Sequence, residues 1–276
     1  MNKIIKKEFL SENVFRMDIE APRIAQSRKA GHFVIIRIGE GGERIPLTIA
    51  DADAERGLIT LIVQIVGCTS AKMSKLNEGE FISDVVGPLG NATHIEKVGT
   101  VLCAGGGVGI APLYPIVQGY KRAGNRVVTV LAARSADLII LEKEMAEFSD
   151  ELIVMTDDGS RGKKGLVTAG MEEVIQREQV NQAVVIGPAI MMKFAALTAK
   201  KYDIPTIASL NTIMVDGTGM CGACRCSVGD KTKFVCVDGP EFDAHQVNFD
   251  EMIQRLNAYK KEEQTAYQQY LQNEKI

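Results

Sequence analysis

The sequence predicts an antiparallel β barrel, then a doubly wound α/β domain with a parallel sheet, then a C-terminal cysteine-bearing segment. Three observations carry this. Residues 1–98 hold short β-branched runs parted by Gly, Pro, Asp or Ser clusters; from Thr100 long apolar runs alternate with helical segments; and four of the six cysteines fall within residues 221–236. The divisions are 1–98, 99–211 and 212–276.

In the first part "KIIKKEFL", "VFRMDIEA", "HFVIIRIG" and "GLITLIVQIVG" read as strands, and "RIPLTIAD" (44–51) as another. One helix is expected at "TSAKMSKLNEG", capped by Thr69 or Ser70 and ended by Gly79. In the second part "TVLCAGG", "RVVTVLAA", "ELIVMTDD", "QAVVIGPA" and "PTIASLN" are apolar almost throughout, as parallel strands buried on both faces require. The segments between them, such as "APLYPIVQGYKRAG" and "LVTAGMEEVIQRE", carry helical periodicity. A polar, helix-prone tail runs from Asn248 to Ile276.

Composition narrows the function. Apolar residues at 46% and charged residues at 24% describe a soluble globular chain. A net charge of −3 without a basic run argues against a nucleic-acid partner. No apolar run reaches the roughly 18 residues of a membrane span, and "MNKIIKKEFLSENVF" breaks its apolar residues with lysines, unlike a signal peptide. Clustered cysteines in such a chain point to metal rather than to a disulfide framework, and to a reducing cytoplasm.

"CAGGGVGIAP" (103–112) lies between the first parallel strand and its helix. Gly105, Gly106, Gly107 and Gly109 permit a tight turn and a close backbone approach to a pyrophosphate, with Pro112 where the usual fingerprint ends in glycine. "LAARSAD" lacks the acidic ribose ligand, so Arg134 or Ser135 is the candidate for the adenosine end, and NAD versus NADP stays open. "TDDGSRGKKG" (156–165), "GPAIMM" (187–192) and "SLN" (209–211) follow later strands, where an open sheet keeps its ligand. They offer Asp157, Gly187, Pro188 and Met191, against the plainer readings of a turn and a helix start. In the barrel, "VGCTSAK" places Gly67, Thr69 and Ser70 at a helix N-terminus, a second anion-binding arrangement beside the strand that carries Arg44.

The cysteine segment reads Asp216-x4-Cys221-x2-Cys224-x11-Cys236. That is the spacing of a [2Fe–2S] site with aspartate at the first position. Gly217, Gly219 and Gly222 let N–H groups turn inward. A zinc site pairing Cys221 and Cys224 with Cys236 and one of Asp216, Cys226 or His245 is the alternative, in which the chain would be a binding module without catalysis. Cys226 is expected to be a packed thiol, or else the replacement for the aspartate; Cys68 and Cys103 sit in the two phosphate loops, Cys68 expected to be a small buried hydrophobe, with an approach to the flavin as the alternative.

Together these pieces resemble the ferredoxin–NADP reductase superfamily, in which a flavin-binding barrel precedes a nicotinamide domain. "RIPLT" is similar to its flavin motif, "VGCTS" to its phosphate loop, "GPLG" (87–90) to the turn ending the barrel, and "GGGVGIAP" and "GPAIMM" to its nicotinamide loops. The resemblance implies that Arg44 holds the FAD pyrophosphate and that Pro46, Leu47 and Thr48 line the isoalloxazine. The cysteine tail resembles the dihydroorotate dehydrogenase electron-transfer subunit. It resembles still more the small FAD/NAD-binding subunit of NADH-dependent ferredoxin–NADP oxidoreductase, also called the sulfide dehydrogenase subunit, which likewise has aspartate as first ligand. On this likeness the chain would be an oxidoreductase subunit with FAD, NAD(H) and a [2Fe–2S] cluster held by Asp216, Cys221, Cys224 and Cys236. It would pass electrons to a larger flavin and iron–sulfur subunit and indirectly to ferredoxin. The alternative partners are a dihydroorotate dehydrogenase chain or a sulfide or polysulfide reductase.

Overall fold

The computed structural model describes residues 1–273. The chain opens with β1 (Asn2–Ser11), β2 (Val14–Glu20), α1 (Pro22–Ser27), β3 (Phe33–Arg37), β4 (Arg44–Asp53), β5 (Leu58–Gln64), α2 (Cys68–Met73), β6 (Phe81–Ile82) and β7 (Asp84–Leu89). The strands pair antiparallel in the order β6-β1-β2-β5-β4-β3-β7 and form a nearly closed barrel. Alternation along each strand fills it: Phe15, Met17 and Ile19 from β2, Val34 and Ile36 from β3, and Ile49 from β4 share one interior cluster.

Three local expectations change. The helix foreseen over 69–79 stops at Met73, because residues 77–80 are drawn into a turn in which the Gly79 N–H donates to Ile4 O. The six-residue α1, opened by Pro22, has no counterpart among the elements the sequence predicts. "GPLG" is strand rather than turn as far as Leu89, paired with β3, and the chain bends at Gly90 (φ +77°).

The α/β part comprises β8 (Thr100–Gly106), α3 (Ile110–Arg122), β9 (Arg126–Ala133), α4 (Glu142–Phe148), β10 (Glu151–Thr156), β11 (Lys163–Lys164), α5 (Val167–Arg177), β12 (Gln182–Ile186), α6 (Ala189–Lys200) and β13 (Thr206–Ser209). Central β8 shows why its run is apolar throughout: Val101 and Cys103 pack with α3, while Leu102 and Ala104 enter the opposite core with α5 and α6. The remaining residues form β14 (Arg225–Val228), β15 (Lys231–Phe234), α7 (Val235–Asp238), β16 (Glu241–Asp243), α8 (Phe249–Leu256) and α9 (Lys260–Asn273). The last three residues of the expected helical tail lie outside those described. The second sheet runs β11-β10-β9-β8-β12-β13-β16, with β16 antiparallel to β13, so the cysteine segment supplies an edge strand.

Glu241 on β16 sits where the parts meet. Its carboxylate accepts from the Thr93 hydroxyl at 2.6 Å, and burial pushes its pKa up from 4.5 to about 6. A carboxyl raised in the fold favours the folded state below the unfolded pKa and loses that advantage as pH rises through the folded value. Stability should therefore fall by up to about 2 kcal/mol between roughly pH 4.5 and 6 on account of this group. Glu241→Gln should remove that slope and raise neutral-pH stability by a similar amount, measured by denaturant unfolding at a series of pH values.

Candidate functional site

The strand order reverses between β8 and β12, the position at which an open α/β sheet offers a crevice. Both glycine loops meet there. A Cβ on Gly109 would lie 2.7 Å from Gly187 Cα and 2.7 Å from Ile186 O, so the β8–α3 and β12–α6 loops touch backbone to backbone. A Cβ on Gly106 would collide with Met191 Sδ, and one on Gly187 would lie 2.8 Å from it. Met191 thus roofs the two loops, while Met192 is buried in the core. Gly105 ends β8, Gly107 takes φ +55° into open space, Pro112 stands in the first turn of α3, and Pro188 is exposed before α6. Asp157 follows β10, two strands from β8, and is exposed; Asp158 closes a turn by accepting from the Ser160 N–H and hydroxyl. Arg134 is exposed at the end of β9, and the Ser135 hydroxyl donates to Asp137.

The β4 residues divide between two faces. Ile45, Leu47 and Ile49 turn into the barrel, which leaves Arg44, Pro46 and Thr48 outside. The structure therefore does not bring Leu47 together with Pro46 and Thr48. Pro46 pairs across the ladder with Ile35, and Thr48 with Phe33. Among the described residues Arg44 has no carboxylate within ion-pair distance. In the α2 loop, Ser70 Oγ accepts from the N–H groups of Val66 and Gly67 at 3.0 and 3.1 Å, which commits it to its own turn. Thr69 donates its hydroxyl to the Glu43 carboxylate, an anion already seated at this loop, and the space before Gly67 is open. A free arginine and a loop that accepts an anion fit a phosphate-bearing cofactor.

The cysteine segment packs on that same outer face. Phe33 and Ile35 share a core cluster with Leu210, Met214, Cys224 and Cys236, and a Cβ on Gly217 would come 2.8 Å from Ile35 Cγ1 and 2.7 Å from Leu89 Cδ1. The four expected ligands form two pairs. Asp216 accepts from the N–H groups of Thr218 at 2.7 Å and Cys221 at 2.9 Å; the Thr218 bond foremost holds its carboxyl below the usual range. In this pair Cys221 is exposed and Asp216 half-buried. The second pair, Cys224 and Cys236, is buried with sulfurs 3.2 Å apart, and the Cys236 N–H approaches Cys224 Sγ at 3.5 Å. Burial pushes the Cys236 thiol up to about 12. Among the described residues no three His, Cys, Asp or Glu side chains converge as they stand. A carboxylate and three thiols are the donor set that a [2Fe–2S] cluster would take, and Gly217, Gly219 and Gly222, at φ +75°, +84° and +65°, give the loop its curvature. Cys226 is a core thiol, raised by burial to about 11. Cys103 is buried, Cys68 only partly; His94 is exposed, His32 Nδ1 accepts from the Lys29 N–H, and His245 Nε2 bonds Ile204 O.

Sequence reasoning missed Arg28. Its guanidinium donates to Ile49 O and Ala50 O at 3.4 and 3.2 Å and leaves Nε buried without a partner, at the joint where α3 meets β4. Nothing in "SRKAGHF" marks it, since a tertiary contact alone buries it.

An oxidoreductase crevice beside a flavin-type barrel, with a cysteine loop packed on the barrel's outer face, defines a flavoprotein reductase with an appended iron–sulfur segment. Comparison with known proteins agrees. An oxidoreductase NAD-binding domain matches residues 104–196, and the iron–sulfur cluster binding domain of dihydroorotate dehydrogenase B matches residues 211–248. The electron transfer subunit homolog of dihydroorotate dehydrogenase B (NAD(+)) from Thermotoga maritima is 49% identical over 98% of this chain and 96% of its own length. The electron transfer subunit from Fusobacterium nucleatum is 34% identical over 87% and 95%. A structure solved in a study of flavin-based electron bifurcation, the NADH-dependent reduced ferredoxin–NADP oxidoreductase, superposes with a TM-score of 0.93, 48% identity and 98% coverage of each chain. The chain belongs to the family of dihydroorotate dehydrogenase B electron-transfer subunits and their homologues.

Proposed function

We propose that the chain is the electron-transfer subunit of an NADH-dependent ferredoxin–NADP oxidoreductase, joining NAD(H), FAD and a [2Fe–2S] cluster to a larger flavin and iron–sulfur partner. One observation carries the reading: Pro46 and Thr48 stand directly across the ladder from Ile35 and Phe33, which pack into the cluster of side chains that holds Cys224 and Cys236. Residues directly opposite on neighbouring strands lie about 4.5–5.5 Å apart at Cβ, so a flavin held on β4 would stand one strand from Phe33 and Ile35, the residues against which the cysteine segment packs.

When bound, these groups supply hydride exchange from the nicotinamide, single-electron exchange at the cluster, and conversion between the two at the flavin. The chain's own residues do the holding. Arg44 and the loop at Gly67 and Thr69 bind the flavin phosphates; Pro46 and Thr48 offer the outer face of β4. The paired glycine loops, Gly105 to Gly109 and Gly187 to Met191, with Pro112 and Pro188 at the helix starts, bind the dinucleotide at the switch point. Asp157 borders the adenosine end. Asp216, Cys221, Cys224 and Cys236 would ligate the cluster.

Arg44→Ala should weaken FAD retention by about 10- to 100-fold, the loss of a charged hydrogen bond worth roughly 1.5–3 kcal/mol. Equilibrium dialysis of FAD against the cluster-loaded chain measures it. Among the described residues no helix is long and apolar enough to cross a membrane. Six cysteines without a disulfide support a reducing, cytoplasmic site of action. Native co-purification tests the assignment: a large flavin and iron–sulfur chain, with FAD and iron in this subunit, is expected. A dihydroorotate-oxidising chain in its place would shift the function to the partner named in the iron–sulfur match. Zinc without flavin would overturn the reading.

A further inference from the structure

The two ligand pairs differ in a way the spacing of the cysteines does not disclose. Cys221 lies exposed on the loop beside a half-buried Asp216, whereas Cys224 and Cys236 are 1% exposed each with sulfurs 3.2 Å apart. All six cysteines are free thiols. A disulfide needs about 2.05 Å between sulfurs, so this pair is within about 1.2 Å of bonding distance, while Cys226 is turned away toward Ser227 O. The lid over the pair is the loop itself. The ideal Cβ position of Gly219 lies 3.1 Å from Val237 Cγ2, beside Cys236, and Gly217, Gly219 and Gly222 all take positive φ, which glycine alone adopts at little cost.

We propose that Cys224 and Cys236 form a redox lock on the cluster-free chain: on oxidation they close to a disulfide that withdraws two of the four ligands and bars cluster insertion until a thiol reductant reopens it. The inference rests on the iron–sulfur reading of this segment. The oxidant is a peroxide, small enough to pass an opened loop. One thiol is oxidised by hydrogen peroxide to a sulfenic acid with release of one water; the other sulfur attacks it, the S–S bond forms, the S–O bond breaks, and a second water leaves. Two thiols lose two electrons and two protons, and the peroxide accepts both. Reduction by a dithiol reverses the balance.

The test uses the full chain, stripped of iron anaerobically with a chelator, treated with equimolar hydrogen peroxide and digested with trypsin without reductant. Cleavage after Arg225 and Lys233 separates Cys221 and Cys224 from Cys226 and from Cys236. The expected product is a cross-linked pair of peptides lighter by two hydrogens, with tandem fragmentation placing the bond at Cys224 and Cys236. Reconstitution with iron and sulfide should be lost in the oxidised chain and restored by dithiothreitol. A bond through Cys221 or Cys226, recovery of Cys224 and Cys236 as thiols or sulfinic acids, or unchanged cluster loading after oxidation would overturn the lock. Absence of iron from the chain as first purified would instead sink the functional reading, and the peptide map would still report on the disulfide.

Discussion

Replacing Cys236 by serine is expected to abolish electron delivery to the partner while leaving reduction of the flavin by NADH intact. Serine fills nearly the same volume, so α7 and its packing survive, but a hydroxyl in this buried position is not ionised at neutral pH and cannot serve as a thiolate ligand. The consequence should be loss of the cluster's absorbance and a fall of more than about a hundredfold in single-electron transfer, since even the outer partners of metal ligands cost about 10- to 100-fold when replaced. Anaerobic stopped-flow separates the two halves of the reaction, because flavin bleaching by NADH needs the crevice and β4 but not the cysteine loop. Cys226→Ser is the control. Its sulfur packs in the core rather than beside Cys224, so the cluster should be retained.

Gly109→Ala should be the most damaging single methyl within the two glycine loops that meet at the crevice. The added Cβ meets Gly187 Cα and Ile186 O at 2.7 Å each, both backbone, with no flexible side chain to yield. Overpacking of this kind costs about 1–3 kcal/mol in stability, and a displacement near 1 Å between reacting groups can cost about a hundredfold in rate. Reduction of the flavin by NADH should fall by roughly that factor in kcat/KM, with FAD content unchanged. Gly107→Ala offers the contrast. Nothing lies within 4 Å of its Cβ position, and φ +55° imposes only a strain of about 1–2 kcal/mol. Thermal unfolding and NADH titration on both variants distinguish a closed crevice from a strained turn.

Periodicity made the large elements legible. "RVVTVLAA" coincides with β9, and "TVLCAGG" with β8, because a strand buried on both faces writes an unbroken apolar run. Short elements carry no such record: β16 is three residues long and owes its place to pairing with β13. The division of β4 was within reach, since strict alternation puts Leu47 opposite Pro46 and Thr48, yet a motif read as a contiguous string hides it. Cysteine spacing offered four candidate ligands but not their arrangement in two pairs, which depends on the cysteine loop folding back onto Ile35 and Leu89. Arg28 and Glu241 were invisible for the same reason: their chemistry comes from burial between parts of the chain distant in sequence.

The most direct measurement is anaerobic addition of NADH to the purified full chain, followed by electron paramagnetic resonance of the cluster before and after removal of FAD. The reduced-cluster signal should arise with flavin present and vanish in the flavin-free chain, because the nicotinamide releases its electrons only as a pair. A signal of equal size without flavin, or none with it, would contradict the route from crevice through β4 to the cysteine loop.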